Sequence, residues 1–553
     1  MAGNPEQRSA GRSLVAPAVV FLLSAAAGGW LLQQGVDRAE NVYVRVRVLQ
    51  EVVDRVAESF VEEVDERSLY NSAIDGLIRD LGDPHTSLIP ASAYEDLRIR
   101  TEGEYGGVGL EVSDRNGYVT VISPIAGGPA ERMGVRSGDQ FYSIGGVRVD
   151  TVATDRAVEL LRGRPGTEVS VEMLRPGVEG PIEFTIERAA IRLRAVPFAV
   201  MLEGGVGYMP LLTVRETASS EMVAAIASLR GEGLRALVLD LRGNPGGLLD
   251  EGIAVTDLFL EEGQVIVETR GRARNQNDTF RAGSPDRYPE LPVVVLVDGA
   301  SASAAEIVAG ALQDHDRAAV IGETTFGKGS VQSLFRLTGG DVLRLTTARW
   351  YTPAGRSIQL DSVTQAEAAP AGPHVLSLSG QAVLPTKVEG RPEYRTDAGR
   401  VVYGGGGITP DLFVAPETLS PDEIEGVRRL IPRFGRVTVA LFNHAVEYVR
   451  RNPELEPGFR ISDAELDEFY GSLPEEARGS PADFDRARRF VRYQMEREIA
   501  LQAWGEVGQF QQSLQYDRQL QRALEVLEGV RSPQDLLRSV EAAEPDPALP
   551  ALP

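Results

Sequence analysis

From about Glu40 to Asp96 the apolar positions recur at helical spacing: Val52, Val56, Phe60, Val61 and Val64, then Ala73, Leu77 and Ile78. The pattern predicts helices, closed by the turn Asp83-Pro84-His85-Thr86. Between about Glu102 and Glu187 the texture becomes short strands separated by turn glycines. Gly117 to Ile122 alternates like a half-buried strand, Pro129 to Val135 reads as a short helix, and Ser137-Gly138-Asp139 as a turn. Thr154 to Leu161 is amphipathic, with Ala157, Val158 and Leu161 on one face. From about Val206 to Leu360 strands and helices alternate, which favours an α/β layered core. Ala236–Leu239 and Val293–Val297 are continuous apolar runs of the buried-strand type, each leading into a glycine-bearing loop and then a helix.

Residues 361–400 break the alternation. Ala, Pro, Gly and Ser dominate 368–380, the composition of a linker or surface insertion, and Lys387 should be exposed there. From Leu419 onward the pattern is mostly helical. Ser420-Pro421 and Ser480-Pro481 are helix starts, with an N-cap serine and a first-turn proline. Phe484, Ala487, Val491, Met495 and Ile499 mark one buried face, and the last residues, rich in Pro, Glu and Ala, are expected to be disordered. No internal repeat is present.

The first 40 residues read differently. Arg8 and Arg12 precede the apolar run Leu14–Leu32, and Asp37 and Glu40 follow it. That charge order predicts the amino end inside and the rest outside the cytoplasmic membrane, in the periplasm or cell envelope. Ala25-Ala26-Ala27 offers a signal-peptidase site, whereas Trp30, Leu31 and Leu32 extend the run to about bilayer length. A cleaved signal peptide and a membrane anchor both remain open.

Composition narrows the chemistry. With 553 residues, 42% of them hydrophobic and 25% charged, the chain is long enough for three or four folded units. A net charge of −23 argues against nucleic acid as a partner. Cysteine is absent, which removes thiolate nucleophiles, disulfides and zinc–thiolate sites. Only two of the 57 basic side chains are lysines, Lys328 and Lys387. Arginine stays protonated, but a buried lysine can be neutral and act as a base.

No histidine pair has metalloprotease spacing, and there is neither a P-loop nor a Gly-x-Ser-x-Gly elbow. His85, His315, His374 and His444 are scattered; a triad through His315 has no local support but could assemble in space. Three strand-end loops carry the candidate chemistry. In Asp298-Gly-Ala-Ser-Ala-Ser303-Ala-Ala-Glu306 a strand turns into a helix near Ser303, so Ser301 and Ser303 are either helix caps or an exposed nucleophile beside free helix N–H groups. In Thr324-Thr-Phe-Gly-Lys328-Gly-Ser-Val-Gln332 the lysine stands between glycines that allow close backbone approach. In Asp240-Leu-Arg-Gly-Asn-Pro-Gly246-Gly247 a glycine turn before a helix can present N–H groups to an oxyanion.

These segments, with Gly82-Asp83-Pro84-His85-Thr86, Gly106 to Leu110, Tyr351 to Ile358 and Gly407-Ile408-Thr409-Pro410-Asp411, resemble the C-terminal processing peptidases, or tail-specific proteases, over residues 40–360 and 400–412. The resemblance implies an α/β crotonase-like serine protease core carrying a PDZ domain, after an N-terminal helical segment. It implies Ser303 as nucleophile, Lys328 as base and Gln332 as the residue that orients the base. Glu306 and Asp314 would be supporting acids near the serine, and backbone N–H groups of Ala304 and of Gly246 or Gly247 the oxyanion hole. Ser301 becomes structural. Gly107, Val108, Gly109 and Leu110 would bind a substrate's terminal carboxylate. Two departures stand out: residues 359–403 intervene before Gly407, and a mainly α-helical extension follows Val414.

The expected organisation is therefore 1–36 signal peptide or anchor, 37–100 helical, 101–190 PDZ, 191–415 protease core with a 361–400 insertion, and 416–553 a helical domain with a disordered tail. The expected function is a serine endopeptidase acting on polypeptides with apolar C-termini, needing no metal or cofactor; a homo-oligomer is left open, as is membrane contact through an uncleaved N-terminus. The competing expectation is a membrane-tethered peptide-binding scaffold whose protease-like core is inactive.

Overall fold

The computed structural model describes residue 24 and residues 43–544, except 116, 126, 150–153, 176–177, 361–374, 384–389 and 431–432. The apolar run Leu14–Leu32 (Ser24 apart), His374, Lys387 and the tail after Glu544 lie outside the described residues. Among the described residues, no helix is long and apolar enough to cross a membrane.

The chain divides into two units. The first takes the described residues up to Ile89 together with Leu334–Leu345. Its helix Glu66–Asp80 starts where Asp65 accepts a hydrogen bond from the Ser68 N–H (2.9 Å), an N-cap that satisfies one orphan donor. Strand Ser87–Ile89 pairs antiparallel with residues 342–344, and Arg344 Nε donates to the His85 carbonyl (3.1 Å). The second unit, Pro90–Ser333 with Thr346–Pro553, holds everything else. Helix Ala91–Glu102 belongs to it.

A six-stranded small sheet in the second unit runs in the order of the chain through β1 (Leu110–Arg115), β2 (Tyr118–Pro124), β3 (Gln140–Ile144), β4 (Glu168–Leu174) and β5 (Pro181–Glu187), with the short strand Val147–Arg148 pairing with β3. Strand β4 alternates exposed and buried positions, with Val169, Val171 and Met173 inward, because only one face is covered. Helix α1 (Thr154–Leu161) closes that face with Ala157 and Leu161, as its spacing predicts. Strand β1 lies at the edge of the sheet, with its outer backbone groups open to another strand.

The main sheet has six strands in the order β6 (Val200–Leu202), β7 (Val206–Pro210), β8 (Ala236–Asp240), β10 (Val293–Val297), β11 (Ala319–Gly322) and β12 (Leu412–Phe413). The intervening β9 (Val265–Gly271) joins a different sheet, with residues 348–351. From β7 to β12 all neighbours are parallel. Helices α2 (Ala218–Gly231), α3 (Leu249–Asp257) and α4 (Ala304–Asp314) supply the crossovers. Leu237, Leu239, Val293 and Val295 pack toward these helices, while Val238, Val294, Leu296 and Ile321 enter a second core on the opposite face. Both faces are covered, which is why the strands read as unbroken apolar runs.

What covers the second face was not legible from composition. The C-terminal residues form α5 (Pro421–Leu430), α6 (Phe434–Arg451), α7 (Asp463–Ser472), α8 (Arg488–Ser513), α9 (Arg518–Leu527) and α10 (Pro533–Ala542). Phe484, Val491, Met495 and Ile499 share a helical core with Leu441 and Phe469. Leu520, Ala523, Val526, Leu527, Leu536 and Val540 instead pack on the main sheet. A fully buried Leu or Val contributes about 1.5–3 kcal/mol, so α9 and α10 are held as a layer on the second face of the main sheet. The 361–400 segment is likewise more than a linker: Leu376 and Leu378 pack into the helical core, and Asp397 N–H donates to the Asp314 carbonyl (2.9 Å).

Candidate active site

Strands β8 and β10 are parallel neighbours, so the turns that leave their C-terminal ends lie side by side. Ala302 N–H donates to the Asn244 carbonyl (2.9 Å) and Ser301 Oγ to the Leu241 carbonyl (2.8 Å), which joins the two turns. Ser301 is fully buried and also accepts from Asp298 N–H (2.9 Å). Its hydroxyl is spent on structure.

Ser303 is half-buried and has φ 56°, ψ −117°, a backbone conformation that non-glycine residues rarely adopt. Such strain costs about 1–3 kcal/mol and persists where surrounding bonds over-determine it. Here Glu306, with no exposed surface, supplies them: its Oε2 accepts from Ser303 N–H (2.7 Å) and Lys328 N–H (2.9 Å). Its Oε1 accepts from Gly327 N–H (2.7 Å) and the Thr325 hydroxyl (2.6 Å). One carboxylate oxygen thus holds the backbone nitrogens of both Ser303 and Lys328. Burial holds the Glu306 carboxyl above its ordinary range, against the opposing pull of its hydrogen bonds from Thr325, Gly327, Lys328 and Ser303. Four donors facing one carboxyl is the pattern of an acceptor-only, ionised group.

The lysine loop is clamped on its other side. Trp350 Nε1 donates to the Lys328 carbonyl (3.1 Å), and a Cβ on Gly327 would meet Gly407 N at 3.0 Å and Ile358 O at 3.1 Å. The flanking glycine admits that close approach, as its place in the sequence suggests. Thr325 Oγ1 also accepts from Ile408 N–H (2.7 Å), which accounts for the Gly407–Asp411 motif as a brace for this loop.

In the glycine turn, Gly246 N–H donates to Asn244 Oδ1 (2.8 Å), so it is not available to an oxyanion, contrary to one of the two options in the sequence. The N–H groups of Gly247 and Ala304 have no hydrogen-bond partner among the described residues. A Cβ on Gly246 would lie 2.8 Å from both Ala304 N and Ser303 Cβ, so this turn abuts the serine directly. Asn244 was missed by sequence reasoning: fully buried, it also donates from Nδ2 to the Leu211 carbonyl (2.7 Å).

Two other expectations change. Asp314 is ten residues beyond Ala304 on α4, about 15 Å along the axis, so it does not stand near the serine. It pairs with buried Arg356 (2.5 Å) and accepts from Ala354 N–H (2.9 Å), anchoring the Tyr351–Arg356 segment. His315 caps the same far end, bonded to Asp397 Oδ2 and the Val265 carbonyl (both 2.7 Å), which excludes a triad with Ser303. Gln332 lies on strand Ser330–Arg336, four residues after Lys328, and its Nε2 donates to Ser330 Oγ (2.9 Å).

In the small sheet domain, the loop before β1 is pinned by its carbonyls: Ala130 N–H donates to Val108 O (2.9 Å) and Ile125 N–H to Gly109 O (3.0 Å). The N–H groups of Val108 and Gly109 have no partner among the described residues. Gly109 has φ 76°, where a side chain would be strained.

Glu323, at the end of β11, is pushed up to about 7, by burial first and by the Asp298 charge second. An ordinary glutamate titrates near 4.5, so between these values the folded chain holds a proton that the unfolded chain has lost. This group's contribution is therefore fully present at low pH and is lost as pH rises through 7, a swing on the order of 3 kcal/mol. Glu323→Gln should melt a few degrees higher than wild type near pH 8.5 and much closer to it near pH 5. An equal difference at both pH values would contradict the assignment.

Residues 205–367 match the model of peptidase family S41, and residues 120–175 that of a PDZ domain. The chain is 43% identical over 332 residues to the carboxy-terminal-processing protease of Bartonella bacilliformis, covering 59% of this chain and 76% of that one. It is 40% identical over 294 residues to the carboxyl-terminal-processing protease of Synechocystis, covering 52% and 68%. The solved photosystem II D1 C-terminal processing protease aligns at 29% identity and a TM-score of 0.33, over 56% of this chain and 89% of that one. With the S41 match on the strands and turns just described and a PDZ domain ahead of them, the chain belongs to the family of carboxy-terminal-processing serine proteases.

Proposed function

We propose that the chain is an endopeptidase that captures exposed apolar C-termini on its PDZ domain and cleaves through Ser303, with Lys328 as general base. The observation that carries this reading is Glu306 Oε2, which accepts from the backbone N–H of both residues. The neutral lysine amine takes the Ser303 proton as Oγ attacks the scissile carbonyl, then returns it to the leaving amine. The developing oxyanion is held by the N–H groups of Ala304 and Gly247. Water then repeats the sequence on the acyl-enzyme. Gln332, a neutral group one short strand segment away, orients Lys328 without the charge that would keep the amine protonated. Glu306 holds nucleophile and base in register through their backbones.

Substrate capture uses the open edge of β1. An extended peptide adds beside β1 toward α1, and its carboxylate meets the Gly107–Leu110 loop, where the N–H groups of Val108 and Gly109 have no partner among the described residues. The site of action lies outside the cytoplasmic membrane, a reading supported by the charge order around Leu14–Leu32.

An unstructured polypeptide with an apolar C-terminus tests this. Wild type should cut it internally, and amidating its terminal carboxylate should raise KM about tenfold. Gly109→Glu should do the same by placing a charged side chain at a φ of 76° in the carboxylate loop. Equal cleavage in all three cases would remove Gly107–Leu110 as the carboxylate site, and no cleavage by wild type would favour an inert peptide-binding scaffold.

A further inference from the structure

A forked charged contact between the C-terminal extension and the protease core falls on the oxyanion turn. Arg242 sits at the start of that turn, two residues after the end of β8. Its Nη2 bonds Asp240 Oδ2 (2.6 Å) and Asp517 Oδ2 (2.7 Å), and its Nη1 bonds Asp517 Oδ1 (2.8 Å) and Gln519 Oε1 (3.0 Å). Asp517 is at the same time the N-cap of α9, accepting from Leu520 N–H (3.0 Å). Gln519 Nε2 continues to the Val414 carbonyl (2.9 Å). Burial alone would depress the guanidinium, but Asp240 and Asp517 outweigh it and hold it well above its ordinary value; burial would raise the Asp517 carboxyl, but Arg242 holds it low. Both partners are therefore charged.

The turn that Arg242 opens is bonded to its surroundings at residues 243, 244 and 246. Gly243 N–H donates to Asp298 Oδ1 (2.9 Å), Asn244 O accepts from Ala302 N–H, and Gly246 O accepts from Val214 N–H (3.0 Å). Arg242 is thus the handle of a block that contains both the Gly247 donor and the Ser303 backbone. The apolar contacts of α9 would hold the helix on the sheet without Asp517, so docking does not explain a forked, two-oxygen contact to this one arginine.

We propose that Asp517 and Arg242 are positioning residues, through which the docked C-terminal helix α9 sets the oxyanion turn in its working geometry. This rests on the serine-peptidase reading above. The α9 N-cap fixes the plane of the guanidinium; the guanidinium fixes the path of residues 243–247; and that path aims the Gly247 N–H. The extension is then part of the machinery of cleavage, and its displacement would switch the turn off without touching Ser303 or Lys328.

Two conservative variants of the full chain test the link. Asp517→Asn keeps an N-cap side chain but not its charge, and Arg242→Lys keeps the charge but not the fork. Outright loss of an oxyanion donor costs about 10²–10³ in kcat, so misaiming one should cost roughly tenfold. Each variant should lower kcat on a short unstructured peptide about tenfold with KM within twofold of wild type. The amides of 243, 244 and 246–248 should exchange at least about fivefold faster while α9 stays protected, and the double variant should be no worse than either single one. Unchanged kcat and exchange with only a lower melting temperature would overturn the proposal, as would fully additive losses. Faster exchange of the turn in a wild-type background that cleaves nothing would uphold the coupling and remove the peptidase reading instead.

Discussion

Lys328→Arg should lose roughly 10⁴-fold or more in turnover of an unstructured substrate, as much as Lys328→Ala. Arginine keeps the positive charge but cannot be neutral near pH 7, whereas lysine, with an ordinary value near 10.4, can be brought down by desolvation. Ser303→Ala should match both, because members of one catalytic unit are not additive. The two controls are set by the structure. Ser301 is committed to Leu241 and Asp298, so Ser301→Ala should act through stability and cost far less turnover per folded molecule. His315 lies at the opposite end of α4, held by Asp397 and Val265, so His315→Ala should leave the chemistry largely intact. Substantial activity in Lys328→Arg, or its loss in a folded His315→Ala, would contradict the Ser–Lys assignment.

Gly247→Ala should be nearly as damaging, for a reason that involves no side-chain chemistry. A Cβ there would lie 1.9 Å from the Val214 carbonyl oxygen and 2.6 Å from its carbonyl carbon, backbone atoms that have no flexible end to give way. Residue 214 is bridged to the turn by Val214 N–H to Gly246 O and by Leu248 N–H to Val214 O (2.8 Å). Relieving the clash must break that bridge and move the Gly247 N–H away from Ala304. A kcat loss of about 10²–10³ is expected, the range for removal of an oxyanion donor. A folded variant with wild-type kcat would show that Gly247 is not a donor. By contrast a Cβ on Gly243 meets open space, and only its φ of 70° penalises a side chain there.

The strands that carry the site were legible because both faces of the main sheet are covered, which leaves runs such as Val293–Val297 uninterrupted. Ser303 and Lys328 stood out as candidates for different reasons. The serine sits where a buried strand breaks into small residues, and the lysine stands out in a chain that otherwise uses arginine. What the sequence could not reveal is long-range: Arg242 and Asp517 are 275 residues apart, and nothing in the spacing of either marks it as the other's partner. The same limit explains Asp314, which the family resemblance placed near the serine, although helical rise carries it three turns away. It also explains α9 and α10, whose apolar faces are helical in period but carry no sign of the sheet they cover.

The central claim is that Lys328 activates Ser303 in one assembled site. Treating the intact protein with a fluorophosphonate and locating the adduct by mass spectrometry tests it without any assumption about substrate. Wild type should be modified at Ser303 and nowhere else, His315→Ala should be modified at a similar rate, and Lys328→Arg should be modified at least about a hundredfold more slowly. Labelling at another serine, or Ser303 labelling that Lys328→Arg leaves unchanged, would contradict it.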